Sequence, residues 1–428
     1  MPATVRAPHA RRADVAIVVL FLAILAAPGL GLVLGVDRAQ VSEAEMRRLA
    51  DFPAWSWSRD AIAQWPDRFQ HYFSDRFAFR NALIHLQAAV LWHGLHTSAS
   101  DTVIAGTGDW LFYADDGGIQ DYIQAEPFTE AQLQQWQRTL ERARDWLASR
   151  GTHFLVVLAP DKQMIYPELM PASLHRLNDT YRADQLLAYM RAHSTIDILD
   201  LRPAILVAKP HELLYHHYDT HWNDRGALIG YQQIAMRLQR WFPAIQPLQR
   251  TDFATSTNSP SGDKTTMLGL VDEGKETMPG LVPRRGWSSV VVSPEHPDPY
   301  GEDGTVITEV RPGTGLKAVM FRDSFASRLI PYLSEHFSRI LYQWQNDFDP
   351  DLVRRENPDV VIQEVVGRHL INFVPTPELV PEPEKTESTG TRKAASLPGR
   401  AADLHRGAEQ RRRAEFAKIL LVNTGALP

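Results

Sequence analysis

The feature that limits the fold most is an alternation of amphipathic segments and short apolar runs that begins at residue 131. The first segment has the three- and four-residue spacing of an amphipathic helix. Its apolar positions are Leu133, Trp136, Leu140, Ala143 and Leu147. Further helices are predicted near 180–193, at Gly226–Trp241 and at Phe325–Glu335, and strands at Phe154–Leu158, Ile196–Leu199, Lys317–Phe321, Arg339–Tyr342 and Val360–Glu364. Strands that alternate with helices predict an α/β fold with a mostly parallel sheet and helices on both faces.

A second feature is the apolar run Val15–Val36 near the N-terminus. A helix of this length rises ~1.5 Å per residue and spans the ~30 Å hydrocarbon layer of a membrane. Arginines precede the run at positions 6, 11 and 12, so the positive-inside rule predicts a cytoplasmic segment 1–14 and a transmembrane signal anchor at 15–36. The chain is thus predicted to cross the inner membrane once and to hold its main domain in the periplasm.

A cleaved signal peptide is the alternative to an anchor. The apolar region of such a peptide is usually ~7–15 residues long and ends at a cleavage site with small residues. The run in this chain is longer, and no convincing site follows Ala26 or Ala27. The Arg11-Arg12 pair lacks the flanking residues of a twin-arginine signal.

The rest of the chain is predicted to form one main domain, 37–374, and a tail, 375–428. Within the domain, residues 244–315 are rich in Pro, Gly, Ser and Thr and are predicted to be an insertion of loops and short strands, such as a β-like piece at Ser289–Val292. The tail has prolines and charges but few large apolar groups, which predicts a low-complexity, disordered segment. An aromatic stripe within 37–100 is predicted to pack on the main domain. It consists of Trp65, Phe69, Phe73, Phe77 and Phe79.

Composition excludes several kinds of chemistry. The chain has no cysteine, so it has no disulfide, no thiolate metal site and no cysteine nucleophile. Its net charge of -6 gives no reason to expect nucleic acid as a partner.

Ser324 stands where a predicted strand ends and a helix begins, in Phe321-Arg322-Asp323-Ser324-Phe325. Sites in open α/β sheets lie at the carboxyl ends of strands. A serine there has its hydroxyl at the sheet edge and its N–H at a helix N-terminus, where it can stabilise an oxyanion. The alternative is a serine that caps the helix, a role that serine fills well.

The second chemical signal is the histidine-rich segment 216–222, which contains Asp219 and His221. An Asp two residues before a His can hold the imidazole Nδ1 and leave Nε2 to take a proton from a serine. The alternatives are a structural histidine and a metal site formed with His211, His216 and His217. No zinc-motif spacing is present, so no metal is expected, and His216 and His217 are interpreted as structural or substrate-facing.

These two blocks resemble the alginate O-acetyltransferase family of AlgJ/AlgX-like proteins. Asp219-Thr220-His221-Trp222 resembles its D-x-H-W block, and Arg322-Asp323-Ser324-Phe325 resembles its serine block, in which glycine usually stands in place of Arg322. The resemblance covers roughly residues 40–372. Other blocks that agree are Gly108–Tyr113, Pro160–Lys162 with Tyr166–Glu168, Gly262-Asp263 with Met267-Leu268, and Pro358–Val361 with Glu364 and Arg368.

The resemblance implies an SGNH-hydrolase-like three-layer sandwich in a circularly permuted order, with the Asp-His block before the serine. It implies that Ser324 is the nucleophile that accepts an acetyl group, that His221 is the general base and then acid, and that Asp219 orients His221. Asp323 is interpreted as shaping the turn. Candidates for contact with the substrate or the oxyanion are Arg322, Trp222, Lys162, Tyr166 and Trp110. Aromatic residues often stack on sugar rings, and Trp110, Tyr113 and Trp222 are candidates, but packing in the core is the favoured role for each of them.

The function implied is an O-acetyltransferase that acts on a periplasmic or extracellular polysaccharide, alginate or another, through an acetyl-serine intermediate. It needs no cofactor and no metal. The resemblance also implies that a multi-pass membrane acyltransferase supplies the acetyl group. Two alternatives stay open, namely a periplasmic carbohydrate acetyl-esterase of the SGNH type and a non-catalytic, polysaccharide-binding subunit of an export complex.

Overall fold

The structure of the protein is a computed structural model that describes residues 8–36, 41–42, 47–95, 97–258, 262–270, 275–293 and 304–383. The strands are β1 (Val41–Ser42), β2 (Arg47–Arg48), β3 (Val103–Ala105), β4 (Leu111–Tyr113), β5 (His153–Ala159), β6 (Ile198–Asp200), β7 (Phe253–Asn258), β8 (Met278–Pro283), β9 (Ser289–Ser293), β10 (Thr305–Val310), β11 (Lys317–Arg322), β12 (Arg339–Trp344) and β13 (Val360–Val366).

The α-helices range from four residues to 27 residues in length. They are α1 (Pro8–Leu34), α2 (Arg59–Arg76), α3 (Arg80–Ala89), α4 (Gly118–Ile123), α5 (Glu130–Ala148), α6 (Lys162–Ile165), α7 (Arg182–His193), α8 (Arg202–Ala208), α9 (Asp224–Leu238), α10 (Asp263–Met267), α11 (Ile330–Ser334), α12 (Pro350–Glu356) and α13 (His369–Asn372). The helix predicted at Phe325–Glu335 is a 3₁₀ turn, Phe325–Arg328, followed by the short α11.

Within the described residues, the central sheet has seven strands in the order β6-β5-β13-β11-β12-β10-β9. The first five are parallel to one another. At one edge β10 pairs antiparallel with β12, and β9 pairs antiparallel with β10. The prediction of an α/β fold with a mostly parallel sheet is confirmed. Because the five parallel strands run in one direction, their carboxyl ends meet at one edge of the sheet.

Side chains of the parallel strands alternate between two packed faces, which is why these strands are apolar throughout. Along β5, Leu155 and Val157 pack in one core cluster together with residues of α9 and α11. Val156 and Leu158 pack on the opposite face, against residues of α5 and α7. The chain connections between parallel strands therefore place helices over both faces.

The N-terminal helix α1 contains one candidate membrane span, Ala13–Leu34, with a mean hydropathy of 2.8. Its large apolar side chains, such as Leu22 and Ile24, are more than half exposed. An apolar helix that is not covered by protein fits a membrane segment better than a core helix.

The aromatic stripe of α2 does not pack on the main domain as predicted. All residues of α2 are described, and Asp75 is the one that is buried. The stripe instead meets the extended segment before α2, where the ring of Phe52 contacts Trp65 and Phe69 edge to face. Spacing along a helix reveals an apolar face but not the surface that covers it.

Residues 244–315, predicted to be an insertion, are divided between two structures. Strands β7 and β8 pair as a separate antiparallel ribbon, whereas β9 and β10 extend the central sheet. This segment also carries Asp263 and Glu276, which contact the histidine-rich segment. Part of the predicted insertion thus belongs to the main fold.

The first part of the predicted tail is packed on the domain. A 3₁₀ turn, Pro377–Leu379, leads to Val380, which is fully buried in a cluster with residues of α5 and α12. The side chain of Thr139 donates a hydrogen bond to the carbonyl of Pro375. The folded domain therefore extends beyond the predicted boundary at 374, and residues 384–428 of the tail lie outside the described residues.

Replacing Val380 by Ala is expected to lower the free energy of unfolding by about 2 kcal/mol, because it removes buried methyl groups and leaves a cavity. Denaturant midpoints of the parent and the variant measure this change. The matched control is Leu379→Ala at the exposed neighbouring position, which should cost less than about 1 kcal/mol. Equal midpoints for Val380→Ala and the parent would show that this segment does not stabilise the domain.

Candidate active site

Three strand ends bring polar residues to one edge of the central sheet. Asp161 follows β5, Ser324 follows β11 and Arg368 follows β13. Because these strands are adjacent and parallel, the residues after them lie side by side. This is the edge where α/β sheets carry their sites.

The turn at Ser324 is fixed by the carboxylate of Asp323. Its Oδ1 accepts a hydrogen bond from the Phe325 N–H at 2.9 Å, and its Oδ2 accepts one from the Val366 N–H at 2.7 Å. Within the described residues, the side chain of Ser324 makes no capping hydrogen bond, and Ser324 is half-buried. Asp323, rather than Ser324, therefore satisfies the start of the helical turn, and the serine hydroxyl is not used as a cap.

His221 and Asp219 form the predicted pair. Oδ1 of Asp219 lies 2.8 Å from Nδ1 of His221 and also accepts the His221 backbone N–H at 2.8 Å. Burial disfavours the charge on Asp219, yet the charge and hydrogen bonds of His221 outweigh this and hold the pKa of the carboxyl well below its usual range. An ionised Asp219 keeps the Nδ1 proton in place and leaves Nε2 of His221 as the basic atom.

The pair faces the segment that carries the serine. The ring of His221 lies 5.1 Å from the ring of Phe325, the residue after Ser324. The indole N–H of Trp222 donates to the carbonyl of Phe325 at 3.1 Å. Nε2 of His221 is buried and has no hydrogen-bond partner among the described residues, so its bond with Ser324 is not formed in this structure. Such bonds often tighten only when substrate binds.

The buried amine of Lys162 forms hydrogen bonds with residues 215–222, which are here called the His loop. Its Nζ donates to the carbonyls of Leu111 at 2.6 Å, His217 at 2.7 Å and Asp219 at 3.1 Å. These three acceptors match the three donors of an ammonium group. Burial lowers the pKa of Lys162 to about 7. Lys162 was predicted as a substrate contact, but its donors are used within the protein.

Asp263, on the short helix α10, supports the His loop from the other side. Its carboxylate accepts the Thr220 N–H at 2.8 Å and the Thr220 hydroxyl at 2.7 Å. A Cβ on the preceding Gly262 would lie 2.0 Å from the carbonyl oxygen of Tyr218, so this close approach requires glycine. Sequence reasoning gave Asp263 no role, although Gly262-Asp263 was among the blocks that resemble the family.

Glu276 holds the first part of the His loop. Its Oε1 lies 2.7 Å from Nδ1 of His216, and its Oε2 accepts the His217 N–H at 2.9 Å. This contact gives His216 a structural role, one of the interpretations left open. Nothing in the sequence pattern signalled Glu276, because 60 residues separate it from His216.

The aromatic candidates Trp110, Tyr166 and Trp222 are all packed in one core cluster. Trp222 is fully buried and Trp110 is 7% exposed. The ring of Trp110 lies 4.7 Å from that of Tyr166 and 4.6 Å from that of His217. The hydroxyl of Tyr166 accepts the Leu214 N–H. These contacts support packing in the core, the favoured role of the aromatic candidates.

Arg322 is the last residue of β11 and precedes the turn that carries Ser324. Its guanidinium is 4.6 Å from the centre of the Trp344 ring and donates to the Ser327 hydroxyl and the Asp323 carbonyl. Trp344 is the partner of Arg322 in the pairing of β11 with β12. The side chain thus runs along the sheet and does not crowd the turn.

A network of buried charges underlies the serine turn. Arg368 donates its backbone N–H and a guanidinium N–H to the carboxylate of Asp161 at 2.6 and 2.8 Å. Nδ1 of His369 lies 3.3 Å from Asp323, and its Nε2 lies 2.6 Å from Asp116. These contacts join the strand ends of β5, β11 and β13. Sequence reasoning singled out Arg368 only through the resemblance and did not find His369.

His369 and the neighbouring Glu364, which accepts the Asp323 N–H, have strongly shifted pKa values. Burial opposes the charge on His369, but its hydrogen bonds to Asp116 and Asp323 outweigh burial and raise its pKa to about 10. Burial, reinforced by the charge of Asp323, raises the pKa of Glu364 well above its usual range. Both groups contact Asp323 in the turn of Ser324, His369 through its Nδ1 and Glu364 by accepting the Asp323 N–H.

Asp219, His221 and Asp263 bring possible metal ligands within 4.8 Å of one another. The same atoms make hydrogen bonds: Oδ1 of Asp219 is paired with Nδ1 of His221, and Oδ2 of Asp263 accepts the Thr220 hydroxyl. A cation here would compete with the bond that orients His221. The arrangement fits a hydrogen-bonded acid–base pair without further groups.

Comparison with known proteins adds a family match. Residues 103–298 match the family model described as "SGNH hydrolase-like domain, acetyltransferase AlgX". The matched region contains Asp219 and His221 and ends before Ser324. Two curated relatives are each named "Probable alginate O-acetylase AlgJ". The protein of Pseudomonas syringae pv. tomato is 26% identical over 231 residues, which cover 53% of this chain and 56% of the relative. That of Pseudomonas aeruginosa is 26% identical over 207 residues, which cover 47% and 49%.

The chain thus spans about half the length of these curated relatives. Among solved structures, Bacillus cereus PatB1 is 17% identical, with 63% of this chain and 96% of that chain covered and a TM-score of 0.46. The O-acetyltransferase domain of Pseudomonas putida AlgJ is 18% identical, with 63% and 91% covered and a TM-score of 0.43. The family match and the names of the curated relatives confirm the resemblance to the alginate O-acetyltransferase family.

Replacing His369 by Gln is expected to remove a pH-dependent part of the stability. The raised pKa of His369 stabilises the fold fully below pH about 6.5, its unfolded value, and this contribution is lost as pH rises to about 10. The difference in unfolding free energy between parent and variant should therefore shrink across that range. Urea unfolding from pH 6 to pH 10 would measure it.

Lys162 also titrates in this range and acts in the opposite direction, because its lowered pKa favours stability at higher pH. It is present in both proteins, so its effect cancels in the difference. A difference that stays constant with pH would show that His369 is not charged in the fold.

Proposed function

We propose that the protein is an O-acetyltransferase that transfers acetyl groups to hydroxyls of a polysaccharide outside the cytoplasm, with Ser324, His221 and Asp219 as its catalytic triad. The single observation that carries the proposal is the hydrogen-bonded pair of Asp219 and His221 facing the turn of Ser324, linked to it by the bond from Trp222 to Phe325. The family match supports acetyl transfer. We further propose that the sheet and its helices form the three-layer sandwich of SGNH hydrolases.

The first half-reaction forms an acetyl-serine. Oγ of Ser324 attacks the carbonyl carbon of the acetyl donor while Nε2 of His221 takes the hydroxyl proton. Asp219 stabilises the imidazolium that results. When the tetrahedral intermediate collapses, the bond between the acetyl carbon and the donor breaks, and His221 returns the proton to the leaving group.

The second half-reaction transfers the acetyl group to the acceptor. His221 takes the proton of a sugar hydroxyl, whose oxygen attacks the acetyl-serine. The new ester forms on the sugar, and the bond to Ser324 breaks as His221 returns the proton to the serine oxygen. If water enters in place of the sugar, the same steps release acetate. The choice of acceptor decides between transferase and esterase.

The support residues have positioning roles in this proposal. Lys162 and Asp263 fix the His loop from two sides. Arg322 and Asp323 shape the turn of Ser324. A polar residue that is held by several buried hydrogen bonds contributes to catalysis through the geometry of its neighbours.

The proposed setting is the outer face of the inner membrane, with α1 as a signal anchor and the catalytic domain in the periplasm. The exposed apolar span Ala13–Leu34 supports this. The names of the relatives support alginate, or a similar exopolysaccharide, as the acceptor. A multi-pass membrane acyltransferase that delivers acetyl groups across the membrane is the proposed source of the donor.

The triad predicts the effect of three substitutions on hydrolysis of a chromogenic acetyl ester by the full chain in detergent. Ser324→Ala, His221→Ala and Asp219→Ala should each lower kcat/KM by about 10³-fold or more, because the three groups act as one unit. The double variant of Ser324 and His221 should be no worse than the single ones. Thermal unfolding of each variant checks that it is folded.

Ser173→Ala is the control, since Ser173 is an exposed serine that belongs neither to the triad nor to its supports. It should retain most of the activity. A chelator should have no effect, whereas loss of activity in chelator would point to a cation at Asp219, His221 and Asp263. An active Ser324→Ala variant would contradict the triad, and a parent chain that hydrolyses no ester would favour the non-catalytic, polysaccharide-binding subunit.

The acceptor decides between the transferase and the acetyl-esterase. With alginate oligosaccharides added to the ester assay, a transferase should form acetylated sugars at the expense of free acetate. Mass spectrometry of the oligosaccharides and an acetate assay measure the two products. Unchanged acetate release with no acetylated sugar would identify an esterase. Dextran oligosaccharides serve as the acceptor control.

A further inference from the structure

A large apolar surface lies beside helix α1 and includes none of the residues assigned to the candidate active site. It is formed by the segment before α2, by α2 and by one face of α3, and is called the collar below. Its exposed residues are Phe52, Trp55, Trp57, Ile62, Phe73, Phe79, Leu83, Leu86 and Val90. Contiguous apolar surfaces of this kind on a folded domain mark sites of interaction.

Helix α3 is packed on the domain along one face and is apolar but exposed along the other. Its inner face is packed, with Ala88 fully buried in a cluster that includes Leu268. Its outer face carries Phe79, Leu83, Leu86 and Val90, which recur at helical spacing and are 46–60% exposed. A helix that needed only to cover the domain would have polar residues at these positions.

Helix α2 adds aromatic rings to the same surface. Trp65 and Phe69 stack 5.1 Å apart, and Trp55 contacts both Trp65 and the exposed Trp57 edge to face. Tryptophan and other aromatic side chains are enriched where a membrane meets water, because their rings are apolar and their N–H or O–H groups remain solvated.

Contacts between α1 and the corner of α2 and α3 set the depth of the collar. The backbone N–H of Ala78 donates to the carbonyl of Pro28 at 3.2 Å. Gly31 packs directly against Ala78 and Phe79. Pro28 precedes the end of the span at Leu34 by a helical rise of ~9 Å. The corner thus contacts α1 within the candidate span, and the exposed ring of Phe79 lies beside that span.

We propose that the collar lies in the interfacial layer of the membrane and binds lipid, so that the domain rests on the bilayer along α2 and α3. The proposal rests on the membrane anchor proposed above. Lipid is the occupant because the collar continues the surface of a membrane span, and because its outer face combines tryptophans with an amphipathic stripe, as in helices that lie in the interface.

The chain has no native cysteine, so single cysteines can carry an environment-sensitive fluorophore without competing sites. The full chain is reconstituted in phosphatidylcholine vesicles without other proteins. Trp57→Cys and Leu86→Cys report on the collar. Val19→Cys, exposed on α1, reports on the span, and Asp351→Cys, on the exposed side of α12, is the soluble control. Quenching is measured with lipids that carry a nitroxide close to the headgroup or deep in the acyl chain.

Labels at 57 and 86 are expected to emit at shorter wavelength and to lose most of their emission to the shallow nitroxide, while the label at 351 is unaffected. The label at 19 should be quenched by the deep nitroxide. The proposal is overturned if 57 and 86 remain open to an aqueous quencher while 19 is in lipid, in which case the collar is a surface for protein. It is equally overturned if 19 is not in lipid.

Ester hydrolysis of the labelled chains in detergent separates this proposal from the enzymatic one. The collar is not part of the triad or its supports, so labelled and parent chains should hydrolyse ester at equal rates. Lipid quenching at 57 and 86 in a chain that hydrolyses no ester would support the collar and contradict only the proposed function.

Discussion

The arrangement of the candidate active site depends on Asp161 and Lys162, which lie just after β5. Lys162 donates its three N–H groups to carbonyls of β4 and of the His loop. The adjacent Asp161 accepts from Arg368 beyond β13. A buried charge is tolerated only when it is paired or fully hydrogen-bonded, so each of these contacts constrains its neighbours. Together they connect the His loop to the edge of the sheet at which β5 and β13 end.

Much of the fold could be predicted because the parallel strands are apolar on both faces and the helices between them have clear periodicity. Ser324, His221 and Asp219 could be found because each block is local in sequence. Asp263 and Glu276 could not, since their partners lie 43 and 60 residues away. The β-like piece at Ser289–Val292 was found by its apolar residues and corresponds to β9, whereas β10 was missed within a segment whose composition resembles loops. Spacing also could not show that the stripe of α2 faces away from the domain.

Arg322 illustrates how a departure from a family pattern can be absorbed by the fold. A long side chain at the end of β11 needs a direction that does not obstruct the turn. Trp344 lies beside it in the register of β12 and provides a flat face for the guanidinium. Cation–π contacts of this kind are favourable and most often involve arginine. The cost of replacing the small residue is thereby offset by a contact within the sheet.

The contacts that complete the site also determine when it can first exist. Trp222 bonds to a carbonyl 103 residues later, and Arg368 pairs with an aspartate 207 residues earlier. Contacts of such long sequence separation form late in folding, since the intervening chain must first be ordered. A chain that emerges from its N-terminus onwards therefore cannot assemble the candidate site until β13 is in place. The candidate site is thus complete only when the domain is whole.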